Sequence, residues 1–197
     1  MKDVKGFLSD KEAKKLQELF LKVHHLGSVL EIGTYCGKSA LNFSDVAKDV
    51  NGLIYTIDHH TGSEEHQLGE EYHDSELFDK RLKKFNTLPE FLNNLKSKKM
   101  AKFIIPIIDK SQNASNFFSE KISLLFVDGG HSFETALSDY NAWKDKICSD
   151  GLLVIHDVFP NPKDGGRPPY EIYTLAKESK EFDDLGIYET LGVLKKV

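Results

Sequence analysis

Val29-Leu30-Glu31-Ile32-Gly33-Thr34-Tyr35-Cys36-Gly37-Lys38-Ser39-Ala40 is the stretch that decides the fold. An apolar run meets a glycine turn and passes at once into a helical pattern. Glycine lets the chain turn sharply and lets a ligand approach the backbone. The helix start beyond it offers N–H groups without intrahelical partners. Glu31, at the strand's end, is a carboxylate able to accept hydrogen bonds from that ligand. An open α/β sheet builds its ligand crevice in this way, at the carboxyl ends of its strands. The spacing here is E-x-G-x-x-x-G-x-S, not the G-x-G-x-x-G that packs round a pyrophosphate. The turn therefore suits a ligand with no phosphate, and a nicotinamide-dependent oxidoreductase becomes a distant alternative.

Outward from this stretch, strands and helices alternate. Ser9 to His25 reads as a helix, with Ser9 and Glu12 spaced as a capping box and Leu16, Leu19, Phe20 and Val23 on one face. Strands are expected at Ser28–Ile32, Leu53–Ile57, Phe103–Ile108, Ile122–Val127 and Gly151–Ile155, and helices at Lys38–Ala47 and Phe133–Ile147. The run Phe85 to Leu95 could be an amphipathic helix. Near-continuous apolar strands alternating with helices imply a parallel sheet covered on both faces, a doubly wound α/β fold. After a helix from about Pro169 to Lys180, Phe182–Glu189 and Leu191–Val197 read as a hairpin.

The 197 residues fit one domain, with 1–27 as an N-terminal helical cap, 59–100 as a helical lid segment and 160–169 as a substrate loop. The polar stretch Thr61 to Asp74 and the Pro- and Gly-rich stretch Pro160 to Pro169 both follow strand ends, where irregular loops serve as lids. A net charge of −5 argues against nucleic acid as a partner. Lys96, Lys98 and Lys99 read as a solvated helix end. Cys36 and Cys148 have neither disulfide nor zinc-site spacing. With no signal-peptide pattern and no apolar run of about 20 residues, a cytoplasmic protein without membrane association is expected. The N-terminal helix could cap the sheet or pair two copies of the chain into a homo-oligomer.

Polar residues mark one strand end after another: Glu31, Asp58, Asp109, Asp128, and His156-Asp157. Parallel strand ends lie side by side, so these groups should converge on one crevice. Asp58 follows the glycine turn by about 20–30 residues, where an acid can take both hydroxyls of a ribose; a turn-forming role is the alternative. His59 could flank an adenine or be an exposed loop residue. Asp109 and Ser111 end the third strand, and Ser111 is also a plausible helix N-cap.

The glycine stretch resembles the first motif of class I S-adenosylmethionine-dependent methyltransferases, and Tyr35-Cys36-Gly37-Lys38-Ser39-Ala40 resembles the corresponding loop of catechol-type O-methyltransferases. Asp128-Gly129-Gly130-His131 and His156-Asp157-Val158 resemble the D-G-x-H and H-D-V motifs of the macrocin O-methyltransferase type. The resemblance implies a Rossmann-like, mostly parallel seven-stranded sheet ending in an antiparallel C-terminal strand. It implies S-adenosylmethionine as methyl donor, held by Glu31, Gly33, Thr34, Gly37, Ser39, Asp58, His59, Asp109 and Ser111. It also implies a small-molecule acceptor, a sugar or phenolic hydroxyl. Asp128, His156 and Asp157 would ligate a divalent metal, Mg²⁺ or Mn²⁺. Asp128 would thus share in catalysis with His131, which sits where catechol-type enzymes carry a lysine base. Those enzymes have Asp-Asn where this chain has His156-Asp157, and an imidazole ligand favours Mn²⁺, Fe²⁺ or Zn²⁺ over Mg²⁺. A metal-independent N- or O-methyltransferase and a non-catalytic S-adenosylmethionine-binding module are the alternatives.

Overall fold

The computed structural model describes residues 4–63, 66–70, 72–130 and 132–197. In chain order the helices are α1 (Asp10–Val23), α2 (Lys38–Val50), α3 (Leu88–Lys98), α4 (Ser111–Ser115), α5 (Phe133–Trp143) and α6 (Pro168–Glu178). The strands are β1 (Ser28–Ile32), β2 (Ile54–Ile57), β3 (Phe78–Asp79), β4 (Lys84–Phe85), β5 (Ile104–Ile107), β6 (Ile122–Val127), β7 (Ile147–Ile155), β8 (Phe182–Tyr188) and β9 (Leu191–Lys196). Seven strands form one sheet in the order β5-β2-β1-β6-β7-β9-β8, while β3 and β4 pair separately. The first five are mutually parallel, and β9 runs antiparallel to both β7 and β8. This is the class I methyltransferase fold expected from the sequence. From β1 the chain moves outward through β2 to β5, then returns to place β6 on β1's other side. The order reverses between β1 and β6, and the crevice of such a sheet opens there.

Strand alternation decides which helices cover which face. Val29, Leu124, Phe126, Leu152 and Val154 point to a core shared with Leu16 and Phe20 of α1, Phe43 of α2 and Phe91 of α3. Leu30, Ile32, Leu125, Leu153 and Ile155 point to the other core, with Tyr140 and Trp143 of α5 and Ile172 of α6. Burying each large side chain contributes roughly 1.5–3 kcal/mol.

Ser9 is the N-cap of α1, and its capping box with Glu12 is formed. Both cysteines are free. Two boundaries differ from expectation. The helix expected to reach Ile147 ends at Trp143, and β7 begins at Ile147 rather than Gly151. Ile147 pairs with Ile122, and a register shift between Ile122 and Leu124 absorbs the irregular stretch up to Leu152. Asp150 keeps the left-handed conformation of a turn at φ +63°, so residues 148–151 form an irregularity inside β7 between its pairings with Ile122 and Leu124. Segment 59–100 is also less helical than expected: it holds the β3–β4 pair, and its helix is shifted to Leu88–Lys98. Among the described residues, no helix is long and apolar enough to cross a membrane.

Candidate active site

Gly33 leaves β1 at φ +88°, a conformation costly for any side chain. Its N–H donates to Ile57 O at 3.0 Å. A Cβ at Gly33 would stand 2.0 Å from the carbonyl oxygen of Asp128. The backbones leaving β1 and β6 therefore touch, and only glycine permits it. Gly37 is the left-handed N-cap of α2, and a Cβ there would meet the Phe91 ring at 2.7 Å.

Asp58, at the end of β2, braces this turn. Its Oδ2 accepts the N–H groups of Thr34 (2.9 Å) and Tyr35 (2.8 Å), and its Oδ1 accepts that of His60 (2.6 Å). Three of its roughly four acceptor sites are thus occupied by backbone. Tyr35 itself sits at φ +50°, held there by this bracing.

Glu31 is fully buried and neither carboxylate oxygen has a hydrogen-bond partner; buried Thr34 Oγ1 is likewise unpartnered. Burial pushes the Glu31 acid up to about 8, a rise moderated by the nearby Ser39 and Thr34 hydroxyls and reinforced by Asp128. Buried polar atoms without partners are costly. Their position at the glycine turn fits a ligand that brings donors, such as the ammonium group of an amino-acid tail. S-adenosylmethionine carries that group.

A cleft of about 210 Å³ opens at the strand switch. Gly33, Thr34 and Ser39 line it on one side, Asp128 and Asp157 on the other. Its rim is supplied by segments remote in sequence. Lys5 pairs with Asp74 (2.6 Å) and Glu76 (2.5 Å), joining the segment before α1 to the loop after β2. Phe7 packs at 6.0 Å from the ring of Tyr35 and 5.5 Å from that of Tyr72. Lys38 Nζ donates to Gly6 O at 3.0 Å. Ser63, His66 and Tyr72 bring the loop expected to form a lid into the cleft wall. The loop at 160–169 folds on itself instead, Arg167 donating to the carbonyls of Phe159 and Pro160.

Asp128, His156 and Asp157 come together at the ends of β6 and β7, their donor atoms all within 4.8 Å of one another. His156 Nδ1 lies 2.8 Å from Asp128 Oδ1 and 3.5 Å from Asp157 Oδ2. Donors bound at ~2.1 Å to one ion, at right angles, stand about 3 Å apart, so this cluster has the span of a cation site. Asp157 occupies the left-handed region at φ +56°, an uncommon conformation that directs its side chain from the turn after β7. On the far side of the ring, His156 Nε2 lies 3.6 Å from Glu12 Oε2. Burial opposes charge on His156, but Asp128, Glu12 and Asp157 outweigh it and raise its pKa to about 11. Those carboxylates favour the charged imidazolium, and a cation held at Nδ1 would take the place of the proton there.

The other expected site residues serve their own loops or helices. Exposed His59 is tied to Thr61 Oγ1 at 2.7 Å, while buried His60 bonds Thr87 Oγ1 (2.7 Å) and stacks on Phe91. Asp109 Oδ1 accepts Lys110 N–H and Asn113 Nδ2, tying the end of β5 to the first turn of α4. Ser111 Oγ accepts Trp143 Nε1 at 2.7 Å, joining α4 to α5. None of Asp58, His59, Asp109 and Ser111 lines the 210 Å³ cleft. His131 lies outside the described residues. Lys5, Phe7 and Tyr72 carried no signal in sequence as rim residues. Glu12 did carry one: a charged residue four positions before Leu16, on the apolar stripe of α1.

A family model described as "Methyltransferase domain" matches residues 30–158, well over half of the chain. Among solved structures, the chain is similar to the O-methyltransferase NovP, with a TM-score of 0.73 and 12% identity over 95% of this chain and 80% of that one. It is similar to the Podospora anserina methyltransferase PaMTH1 with bound S-adenosylhomocysteine, with a TM-score of 0.68 and 15% identity over 97% and 80%. An O-methyltransferase from Bacillus cereus, also in complex with S-adenosylhomocysteine, gives 0.65 and 14% over 96% and 83%. The glycine turn touching β6, the strand order and the family match agree: the chain belongs to the methyltransferase-domain family, with the class I fold of S-adenosylmethionine-dependent enzymes.

Proposed function

We propose that the protein transfers the methyl group of S-adenosylmethionine to a hydroxyl of a small molecule, assisted by a divalent cation. One observation carries this reading. Asp128 and Asp157 line the same cleft as Gly33, Thr34 and Ser39, so an acceptor oxygen beside the acids would lie next to a donor on the glycine turn. O-methyltransferase activity in NovP and in the Bacillus cereus protein agrees with an oxygen acceptor.

In the reaction the acceptor oxygen attacks the methyl carbon in line with the departing sulfur. The carbon–sulfur electron pair returns to sulfur, leaving the neutral thioether S-adenosylhomocysteine. A hydroxyl is a weak nucleophile until its proton is removed. A cation held by Asp128, Asp157 and His156 Nδ1 would lower the pKa of that hydroxyl. His131, three positions beyond Asp128 in sequence, is the candidate to accept the proton. Glu31 and Thr34, with their unpartnered oxygens, hold the donor's amino-acid tail.

A second reading, transfer without a metal, rests on the ion-pair chain Glu12–His156–Asp128, in which Nδ1 bonds Asp128 at 2.8 Å and Nε2 faces the Glu12 carboxylate at 3.6 Å, balancing the ring's charge with no cation. Labelled methyl transfer to a panel of sugar and phenolic acceptors, with and without chelator, separates the two. Metal assistance predicts that chelator abolishes transfer while S-adenosylhomocysteine still binds, and that His131→Ala slows turnover far more than it weakens nucleoside binding. Full activity in excess chelator favours the second reading. Nucleoside binding without transfer to any acceptor would point to a non-catalytic binding module.

A further inference from the structure

Glu12 belongs to none of the strand-end motifs. It sits in the first turn of α1, only 4% exposed. A carboxylate so buried requires partners, and it has them on three sides. Oε2 accepts the N–H of Ser9 at 3.1 Å, completing the helix cap. Oε1 accepts the N–H (3.2 Å) and hydroxyl (2.6 Å) of Thr190, in the turn between β8 and β9. Oε2 also faces His156 Nε2 at 3.6 Å, while the ring's other nitrogen faces Asp128 and Asp157. Capping does not require burial. What places this carboxylate in the interior is the imidazole and the hairpin turn.

An imidazole between an outer carboxylate and a cluster of hard oxygen ligands is the arrangement by which proteins orient a metal-bound histidine. The outer acid takes one N–H, which fixes the tautomer and leaves the opposite lone pair for the ion. We propose that Glu12 is a positioning residue for the cation site, holding His156 with its N–H on Nε2 and its Nδ1 lone pair toward an ion shared with Asp128 and Asp157. This inference rests on the metal-assisted reading above. The same carboxylate steadies the segment just past Asp157, because Val158 N–H donates to Thr190 O at 2.9 Å. Helix α1 thereby reaches the site through one side chain, from more than 140 residues away in sequence.

The test is titration of the purified full chain with Mn²⁺, following free ion by electron paramagnetic resonance, without acceptor or turnover. Glu12→Gln keeps the volume and can keep the cap, and so spares the fold where Glu12→Ala would leave a hole. It is expected to weaken Mn²⁺ binding roughly 10–100-fold, the usual effect of losing such an outer partner. S-adenosylhomocysteine binding should stay near wild type. Thr190→Val removes the hydroxyl bond to Oε1 without touching His156. It should lower thermal stability yet leave Mn²⁺ affinity unchanged. Wild-type Mn²⁺ affinity in Glu12→Gln, with loss in His156→Ala, would overturn the role of Glu12 and leave the metal reading standing. Equal weakening in Thr190→Val and Glu12→Gln would also overturn it, by showing that Glu12 acts only through the hairpin. No Mn²⁺ binding by wild type would remove the metal reading and this inference together.

Discussion

Replacing Asp58 with Asn separates two roles for the acid at the end of β2. The carboxylate holds Thr34, Tyr35 and His60 N–H groups at 2.6–2.9 Å. An amide has one acceptor oxygen. If it faces Thr34 and Tyr35, two charge-assisted bonds become neutral ones, and the amide NH₂ is set against the His60 N–H. If it faces His60, two backbone donors lose their partner. Hydrogen bonds to charged groups are worth about 1.5–3 kcal/mol and neutral ones about half that. The half-buried site lets water repay part of the loss. The net cost is about 2–4 kcal/mol, or a fall in melting temperature of roughly 4–16 °C for a chain of this size. The assay is thermal unfolding in the absence of nucleoside, so any ribose contact is silent. A variant melting within about 2 °C of wild type would refute the bracing role and leave Asp58 as a ligand contact alone.

Gly33→Ala should cost about 2–5 kcal/mol, from left-handed strain and overlap with the Asp128 carbonyl; a chemical-denaturation midpoint equal to wild type would refute the close approach. Burial holds the Glu31 acid at about 8 against 4.5 in the unfolded chain. Its stabilising contribution is complete below pH 4.5 and is lost as pH rises toward and past 8. Nucleoside-free protein should therefore weaken as pH rises from 4.5 to about 8 and level off above that, and Glu31→Gln should flatten that slope in urea titrations. Asp139 of α5 is buried and accepts Gln112 Nε2 at 2.8 Å, its acid pushed up from 3.8 to about 6 by burial. The stability it confers when protonated is lost as pH rises from 3.8 through 6. Asp139→Asn keeps the acceptor and should stabilise the protein at pH 7.5 by about 1–3 kcal/mol, with little effect near pH 4; a loss at pH 7.5 would show that the charge itself is needed.

The glycine turn was legible because it is local. Gly33 and Gly37 have to be glycine for backbone reasons, and the apolar run before them announces the strand. Asp128 and the His156-Asp157 pair were legible as strand-end polar residues, and their meeting followed from the expected order of parallel strands. Asp58 and Ser111 were legible as strand-end polar residues with a turn or helix-start role as the alternative to a ligand contact. Which groups Asp58, Asp109 and Ser111 hold was not legible, because a carboxylate or hydroxyl takes whichever donor or acceptor the fold brings nearest. The early start of β7 was not legible for a related reason: Asp150-Gly151 has turn chemistry and Asp150 does take a left-handed turn conformation, while only the pairing of Ile147 with Ile122 across the sheet makes the preceding residues part of the strand.

By itself the sequence determined the alternation of strands and helices, the glycine turn and the acids at the strand ends, because hydrophobic period and backbone conformation act within a few residues; the antiparallel terminal strand was implied only by the family resemblance. The tertiary structure alone decided that Lys5 closes onto Asp74 and Glu76, and that Glu12 faces His156 and Thr190. Those contacts join segments 69 to 178 residues apart, and no local pattern encodes a partner at that distance; it is set by which helix packs on which face of the sheet.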